Sequence, residues 1–355
     1  MWKDRRLTQL FGIEHPIIQA PMGGAAVPSL AAAVANAGGL GSLGTATISA
    51  EERQRQVDQL RALTKRPINL NYFVHAEPVA DAARTARLQA RLATWYAAHG
   101  AGLPPAPTAP FPIFDREALL HLLAVRPAVA SFHFGLPKPA DVAAIKAAGI
   151  KLIASATTPQ EACALEAGGV DAVIAQGWEA GGHRGTFAPP YDAGQIGTFA
   201  LVPQVADAVG VPVIAAGGIA DGRGIAAALM LGASAVQLGT AFLSCPEASV
   251  HPLHRQALAE AARASIVSAA FTGRPARALA NRYAAELAAA EADILAFPLQ
   301  ASQTWPLALA AAARGSSEIM AMWAGQAYRL NRAMPAAELV ATLVREATAR
   351  LAAAV

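Results

Sequence analysis

The sequence predicts an α/β protein in which eight parallel strands close into a (β/α)8 TIM barrel. The first observation is that short apolar runs rich in β-branched residues alternate with Ala/Leu-rich helical segments over three-quarters of the chain. The second is the length of 355 residues, which exceeds that of a small domain and suits a barrel with additions. The third is a hydrophobic content of 54% against 15% charged residues, which provides a large core and argues against a disordered tail.

Eight runs along the chain have the length and composition of buried strands. They span residues 16–22, 40–44, 67–73, 128–135, 151–156, 171–177, 211–219 and 235–242. Helical segments occupy most of the gaps, and several of them end in glycine, as helix C-caps often do. They span residues 27–38, 50–63, 139–149, 158–169, 198–210 and 222–232. A doubly wound open sheet is the alternative, but no Gly-x-Gly-x-x-Gly motif follows the first strand at the required offset.

Two segments fall outside this repeat. Residues 77–125 form an insertion after strand three, with a helical part and then the proline-rich run 102–112, which we expect to be an extended surface loop. Residues 246–355 are predicted to form an all-helical C-terminal subdomain that packs near the barrel mouth. The barrel domain, with its insertion, then comprises residues 1–245. Within the tail, "TGRPARALANRY" and "MWAGQAYRL" are too specific in composition for plain surface helix.

Composition and charge indicate which partners and which cellular compartment to expect. The net charge is only +3, and most arginines have acidic neighbours on helical faces, so we predict no nucleic-acid partner. Cys163 and Cys245 lie far apart without the spacing of a metal site, which suits a reducing cytosol. The first residues show no signal peptide, and no alanine-rich stretch is long enough to span a bilayer. We expect a cytoplasmic protein with no metal and no membrane partner.

Active sites in this fold lie at the C-terminal ends of the strands, where the βα loops begin. Several residues at these positions can bind a ligand or take part in chemistry. They are Met22 and Gly23 after the first strand, Asn69 on the third, His133 on the fourth, Gln176 on the sixth, Gly217 and Gly218 on the seventh, and Gln237, Leu238, Gly239 and Thr240 on the eighth.

The ends of strands seven and eight predict a phosphate site. Glycines at positions 217, 218 and 239 expose backbone N–H groups and permit close approach, and the Thr240 hydroxyl can add a donor. A phosphate at these two loops recurs in this fold. The phosphate can belong to a substrate or to a cofactor.

The other strand ends favour a cofactor. A sugar-phosphate aldolase or isomerase needs a Schiff-base lysine or a carboxylate pair there, but Lys151 begins a strand and so lies at the wrong end of the barrel. Amides at Asn69, Gln176 and Gln237, with apolar contact from Met22, suit a flat heterocycle with carbonyls and ring nitrogens. Flavin mononucleotide (FMN) meets that description.

The loop after strand six, "QGWEAGGHRGTF", holds His183 and Arg184 among four glycines. Such glycines indicate a backbone that must approach another group closely. We interpret His183 as functional and Arg184 as a loop anchor. His133 alternates with Phe132 and Phe134, so we expect both phenylalanines on the opposite face and His133 at the barrel mouth or core.

The chain resembles the class I nitronate monooxygenases, formerly called 2-nitropropane dioxygenases. The resemblance covers essentially the whole chain and rests on several motifs in fixed order. They are "QAPMGG", "PINLNYF", "SFHFGLP", "GWEAGGHRGTF", "AAGGIADGRG", "QLGTAFL" and "MWAGQA". It implies FMN bound non-covalently at the barrel mouth and oxidation of alkyl nitronates by O2 to a carbonyl compound and nitrite, without NAD(P)H. Propionate 3-nitronate is the substrate that such an enzyme commonly handles.

The resemblance also assigns residues. His183 falls on the catalytic histidine and His133 on a second active-site histidine. The positions that fall on flavin-binding residues are Asn69, Gln176, Gly181, Gly218 and the run from Gln237 to Thr240. From the tail, Gly325 and Gln326 can reach the flavin phosphate or ring, because pockets favour such junctions.

Rival functions remain open at the level of the sequence. The same flavin barrel carries NADH:quinone reductases and a type of enoyl-acyl-carrier-protein reductase, in which a nicotinamide docks on the flavin. A flavin-binding storage protein and a phosphosugar lyase are weaker alternatives. The sequence leaves the choice between monomer and homodimer open.

Overall fold

The computed structural model describes residues 2–353. It contains eleven strands in two sheets. They are β1 (Ile17–Gln19), β2 (Gly41–Gly44), β3 (Ile68–Phe73), β4 (Val129–His133), β5 (Lys151–Ala156), β6 (Ala172–Gln176), β7 (Gly182–His183), β8 (Val213–Ala216), β9 (Ala235–Leu238), β10 (Ser265–Ser268) and β11 (Ala276–Leu279).

Eight of these strands form the predicted barrel. Their order is β1-β9-β8-β6-β5-β4-β3-β2, and every neighbouring pair is parallel. A parallel bridge between Ile18 and Leu40 joins β1 to the residue before β2, so the sheet closes on itself. The predicted (β/α)8 fold is confirmed.

Thirteen α-helices accompany the strands within the described chain. They are α1 (Arg6–Phe11), α2 (Pro28–Asn36), α3 (Ala50–Leu63), α4 (Ala82–His99), α5 (Arg116–Val125), α6 (Pro139–Ala147), α7 (Pro159–Ala167), α8 (Thr198–Ala208), α9 (Gly222–Met230), α10 (Pro252–Glu260), α11 (Arg282–Ala288), α12 (Leu299–Ala313) and α13 (Ala336–Ala353). No helix in residues 2–353 is both long and apolar enough to cross a bilayer.

The inside of the barrel changes from apolar to polar along the strands. Inward-facing side chains at the N-terminal end form a core that α1 closes from below. This core includes Ile18, Leu40, Val129, Ile153, Ile174, Ile214 and Ala235. Two residues further along, five of these seven positions carry a hydroxyl or an amide: Ser42, Ser131, Ser155, Gln176 and Gln237. Because the pleat alternates, the residues between them face the surrounding helices in the larger core.

The tail differs from the expectation of an all-helical segment. Residues 246–355 were predicted to be helical, but β10 and β11 lie within them and pair antiparallel. The "ARAL" run of β11 has no local strand signal, since alanine, leucine and arginine favour helix. Its partner on the other side is β7 in the loop after β6, so tertiary pairing decides its conformation.

The insertion and the tail share a second hydrophobic core. Helix α4 contributes Leu88, Leu92 and Tyr96, which cluster with side chains of α11 and α12. The proline-rich run contains no helix or strand, and apart from the buried Phe111 its residues are exposed or half-buried. The division of the chain after residue 245 stays a prediction, and α13, near the end of the tail, packs on the barrel helices α2 and α9.

Candidate active site

A hydrogen-bonded polar layer crosses the barrel just below its mouth. Asn69 donates through Nδ2 to Oγ of Ser42 at 3.1 Å and to Oγ of Ser131 at 2.9 Å. Asn71 donates to the backbone oxygen of Ser131 at 3.2 Å. Two amide oxygens facing this region, Oδ1 of Asn69 and Oε1 of Gln237, are buried without a partner in the described chain. A buried acceptor left unpaired costs about 1–3 kcal/mol, so both point to a donor that a bound group supplies.

The loops after β6, β8 and β9 meet backbone to backbone. Gly217 and Gly218 have φ of +107° and +71°, which disfavour any residue with a side chain. A Cβ on Gly181 would lie 2.6 Å from the amide nitrogen of Gly325, so the contact tolerates only glycine. The Gly325 N–H donates to Oγ1 of Thr240 at 2.9 Å. The structure therefore brings the tail glycine beside the strand-end glycines.

The remaining predicted binding residues surround the same loops. Gln326 donates its N–H to the backbone oxygen of Glu179 at 2.9 Å in the β6 loop. A Cβ on Gly239 would lie 3.5 Å from Sδ of Met22, which places the β1 and β9 ends together. Gly23 follows Met22 on the same turn. The Leu238 side chain is buried among the outer barrel helices and offers only its backbone to the mouth.

His183 lies on a short strand that the tail holds in place. In β7, Gly182 and His183 pair with Arg277 and Ala276 of β11. The carbonyl oxygen of His183 accepts hydrogen bonds from Nε2 of Gln176 at 2.9 Å and from Nε2 of His133 at 3.1 Å. Because a carbonyl only accepts, Nε2 of His133 carries the proton and Nδ1 keeps a lone pair.

Arg184 anchors the loop, as predicted. Its side chain is 1% exposed and donates to the carbonyl oxygens of Gly177, Gln176 and Gly194 at 2.6, 2.9 and 3.0 Å. Gln176 completes the anchor by accepting from the N–H of Gly185 at 2.7 Å. The side chain of His183 is therefore presented by a backbone fixed on both sides.

The His183 imidazole contacts one hydroxyl. Its Nε2 lies 2.9 Å from Oγ1 of Thr272, and the same hydroxyl lies 3.5 Å from the backbone oxygen of Arg274. If the hydroxyl proton is directed to that carbonyl, Nε2 of His183 donates and Nδ1 is free to accept. Thr272 escaped the sequence reasoning, although it begins the unusual tail stretch "TGRPARALANRY".

Burial keeps both active-site histidines neutral. The pKa of His183 is lowered to about 3, chiefly by burial and also by the nearby His133 and Arg274. The pKa of His133 is likewise lowered to about 3, chiefly by burial and also by Arg274 and Arg184, although the hydrogen bond that it donates to the His183 carbonyl raises it. Neither imidazole carries a charge at neutral pH in the free protein.

Aromatic rings surround His183. We define the aromatic cage as Phe73, Phe111, Phe134, Phe297, Trp305 and Trp323. The ring centroids of five of these lie 5.3–6.5 Å from that of His183. The sixth, Trp305, packs on Phe111 at 5.1 Å. Sequence reasoning missed this cage because its members come from β3, the insertion, the loop after β4 and the tail.

Phe134 corrects one expectation of the alternation argument. Phe132 faces the outer helices as predicted, where it contacts Tyr72. Phe134 instead follows the end of β4 with φ of +76°, and its ring turns to the mouth beside His133 at 4.5 Å. The guanidinium of Arg274 lies 3.8 Å over that ring. The regular pleat ends at His133, so it no longer sets the direction of the next side chain.

The comparisons with known proteins agree with this arrangement. The family model described as nitronate monooxygenase matches residues 4–346. The chain belongs to the nitronate monooxygenase family. The predicted resemblance and the assignment as an oxidoreductase are therefore confirmed, and the membership supports nitronate oxidation.

Individual relatives cover nearly the whole chain. A nitronate monooxygenase of Paraburkholderia phytofirmans is 48% identical over 346 residues, 96% of this chain and 94% of its own length. One of Pseudomonas aeruginosa is also 48% identical, over 96% of this chain and 98% of its own. A solved nitroalkane oxidase from Streptomyces ansochromogenes aligns with a TM-score of 0.90 and 41% identity, covering 99% of this chain and 100% of that chain. FabK from Thermotoga maritima aligns with a TM-score of 0.77 and 30% identity, over 98% of this chain and 97% of that one.

Proposed function

We propose that this protein oxidises alkyl nitronates with O2 to a carbonyl compound and nitrite, using non-covalently bound FMN and no NAD(P)H. The observation that carries the proposal is the placement of a neutral His183 at the barrel mouth, inside the aromatic cage and next to glycine loops suited to a phosphate. Family membership supports the same reaction class.

The residues at the mouth fit FMN. The backbone N–H groups of Gly217, Gly218 and Gly239 and the hydroxyl of Thr240 would hold the phosphate, because a site of exposed amides suits an anion. Gly325 closes this loop cluster, since its N–H already donates to Thr240. Gly181 and Gln326 would support the same cluster from either side.

The flavin ring would face the amide layer. The unpaired oxygens of Asn69 and Gln237 are acceptors, and the isoalloxazine ring carries an N–H donor and carbonyl acceptors. Met22 and Gly23 would provide an apolar contact and close backbone approach, and Leu238 a backbone group. The Gln176 amide hydrogen-bonds the His183 loop through both its nitrogen and its oxygen. We therefore propose that Gln176 contributes to flavin binding by fixing the shape of the barrel mouth.

When bound, FMN supplies the electron transfer and oxygen chemistry that amino-acid side chains lack. The chain's part is to place the nitronate carbon and to exclude water. His183 is the proposed catalytic residue, because its ring lies inside the aromatic cage and hydrogen-bonds within the described chain only through Nε2. His133, for which we propose an active-site role, positions His183 through the carbonyl hydrogen bond.

The low pKa of His183 favours the nitronate over the neutral nitroalkane as substrate. A base whose pKa is about 3 removes an α-proton poorly, so the substrate must arrive already ionised. The nitronate's negative charge then raises the pKa of the imidazole beside it, and a protonated His183 can pair with the nitronate oxygens.

Oxygen consumption by the purified yellow protein tests this proposal. We expect oxygen uptake and nitrite release with an alkyl nitronate, at the same rate with and without NADH. We expect His183→Asn to lower kcat/KM by about 10²–10³, the usual loss when one group that stabilises a negative charge is removed, while FMN stays bound. Oxidation of NADH in the presence of a quinone or an enoyl thioester, with no response to nitronates, would assign the protein to the reductases.

We also propose a cytoplasmic location. Cys163 and Cys245 are both unpaired in the structure, and Cys163 is exposed, which suits a reducing compartment. The proposed partners are the small-molecule nitronate and O2.

A further inference from the structure

We propose that this protein binds a small inorganic anion, of the size and charge of chloride, at a second site outside the barrel mouth. The site lies between α3, the outer face of β3 and α5. We define the Arg53 site as the side chains of Arg53, Tyr72 and His121. It is independent of the reaction proposed at the mouth, because none of these residues belongs to the polar layer, the glycine loops or the aromatic cage.

Arg53 occupies a core position of α3. The buried side chains of this helix include Arg53, Val57 and Leu60, which follow the i, i+4, i+7 spacing of a core-facing stripe. Arg53 is 4% exposed, and its Nε and Nη1 atoms are buried without a hydrogen-bond partner in residues 2–353. Its guanidinium lies 5.5 Å from the centre of the Tyr72 ring. Arginine is rarely buried in this way unless a negative charge pairs with it.

Tyr72 and His121 carry further polar atoms without partners. Tyr72 belongs to the core that also contains Ala118 and Leu122 of α5. Its Oη is buried and forms no hydrogen bond of acceptable geometry within the described part of the chain. His121 lies on α5 beside Leu122, and although the residue is half-buried, both of its ring nitrogens are buried and unpartnered there. Three elements therefore direct unpaired polar atoms into one region of an apolar core.

The positive charge of Arg53 is not compensated by the other two side chains. Burial raises the pKa of Tyr72 to about 12, although Arg53 and the Thr45 hydroxyl lower it, so the phenol keeps its proton. Burial and the charge of Arg53 lower the pKa of His121, although Asp58 raises it, so the imidazole is neutral at neutral pH. Neither group supplies the negative charge that a buried guanidinium requires.

The carboxylates of the two helices do not supply it either. Glu52 forms an ion pair with Arg55 on the surface of α3. Asp58 is exposed and accepts a hydrogen bond from a glutamine one turn earlier at 2.8 Å. Glu51 and Glu117 are exposed. An anion from solution is therefore the partner that the burial of the guanidinium requires.

The donors of the Arg53 site fit a small monoanion. Arg53 offers two N–H groups, Tyr72 one O–H group and a neutral His121 one N–H group. A water molecule could accept some of these bonds, but only an anion also neutralises the guanidinium. The rings of Phe114 and Phe132, centred 5.0 and 5.9 Å from that of Tyr72, border the site. Because the site is enclosed by rings and helices, it favours a halide-sized ion over an anion with an organic body.

Chloride titration of the purified full-length protein tests the site. Sodium gluconate replaces sodium chloride at constant ionic strength, so that screening stays equal while the bulky gluconate is excluded. We expect the thermal midpoint to rise saturably by about 2 °C in chloride, because a ligand that binds only the folded chain stabilises it. A midpoint that does not change, or that rises without saturation, would overturn the proposal.

Anomalous diffraction from a crystal grown in sodium bromide locates the ion directly. We expect a bromide peak in contact with the Arg53 guanidinium and the Tyr72 hydroxyl. An ordered water at that position, with no anomalous signal, would overturn the proposal even if chloride stabilises the protein.

Matched methionine variants of α3 separate the buried arginine from an exposed one. Arg53→Met removes the charge and keeps an unbranched side chain in the core, so we expect the chloride response to disappear and the midpoint in gluconate to be at least that of the original protein. Arg55→Met removes an arginine whose side chain is 57% exposed and should retain the full response. Tyr72→Phe removes one donor and should raise the chloride concentration needed for the same stabilisation by at least about threefold. A full response in Arg53→Met or in Tyr72→Phe, or a lost response in Arg55→Met, would contradict the assignment.

Discussion

The hydroxyl of Thr272 holds the proposed catalytic histidine, and Thr272→Val removes that hydroxyl while keeping the shape of the side chain. Thr272 is 2% exposed and lies 2.9 Å from Nε2 of His183, so the variant leaves this nitrogen buried without a partner. The lost hydrogen bond and the unpaired atom together cost about 1–3 kcal/mol. The aromatic cage still encloses the ring, but nothing then selects between its two tautomers or fixes its rotation.

The expected loss in catalysis follows from that figure. We take this cost to fall on the tautomer and rotamer of His183 that react. Because about 1.4 kcal/mol corresponds to a tenfold change in rate, kcat/KM should fall by about 10–100-fold. The assay is oxygen uptake with an alkyl nitronate over a range of concentrations, with FMN content and thermal unfolding recorded for each variant. We expect Thr272→Ser, which retains the hydroxyl, to stay within about threefold of the original protein.

Two results would refute this reasoning. If Thr272→Val retains full kcat/KM with FMN bound, the hydroxyl does not set the state of His183. If Thr272→Ser is impaired as much as Thr272→Val, retaining the hydroxyl does not preserve activity, and the hydrogen bond alone does not set the loss.

Three further predictions follow from the buried histidines and the glycine loops. In the folded protein the pKa of His133 and of His183 is about 3, below the ordinary value of 6.5 that the unfolded chain has. Below pH 6.5 the unfolded chain therefore binds more protons than the folded protein, and the free energy of unfolding should decrease as the pH is lowered. We expect up to about 2 kcal/mol per histidine between pH 6.5 and about 5, measured by urea unfolding; an unchanged midpoint would contradict it. Because His183 is neutral in the free protein and must gain a proton to pair with the nitronate, kcat/KM for a nitronate should fall about tenfold per pH unit from about pH 6 to 8, and a flat profile would show that His183 acts as the neutral imidazole. Gly218 and Gly149 have φ of +71° and +79°, so alanine at either should cost about 1–2 kcal/mol of stability, but only Gly218→Ala should release FMN on dialysis.

The barrel could be predicted from the sequence because its signals are local. The limits of β5, Lys151–Ala156, agree residue for residue with the predicted strand. The eighth predicted strand, 235–242, ends early at Leu238, since the chain turns at Gly239 into a 3-10 helix that carries Thr240. Periodicity finds buried strands well, but it does not show where a glycine redirects the backbone.

The candidate site could be predicted only in part. The strand-end glycines and amides were identifiable because the fold places strand ends together. The support of His183 by β11 and by Thr272 depends on contacts between residues about 90 positions apart, which no local pattern records. The aromatic cage could not be predicted for the same reason. In addition, Phe134 departs from the alternation of side chains along β4, so the strand pattern gives the wrong direction for its ring.

Anaerobic mixing of the FMN-loaded protein with an alkyl nitronate tests the central claim most directly, because it isolates electron transfer from substrate to flavin. The account predicts that the visible flavin absorbance changes with the nitronate alone and returns when O2 is admitted, with nitrite released. Flavin that is unchanged by nitronates but bleached by NADH would contradict the account.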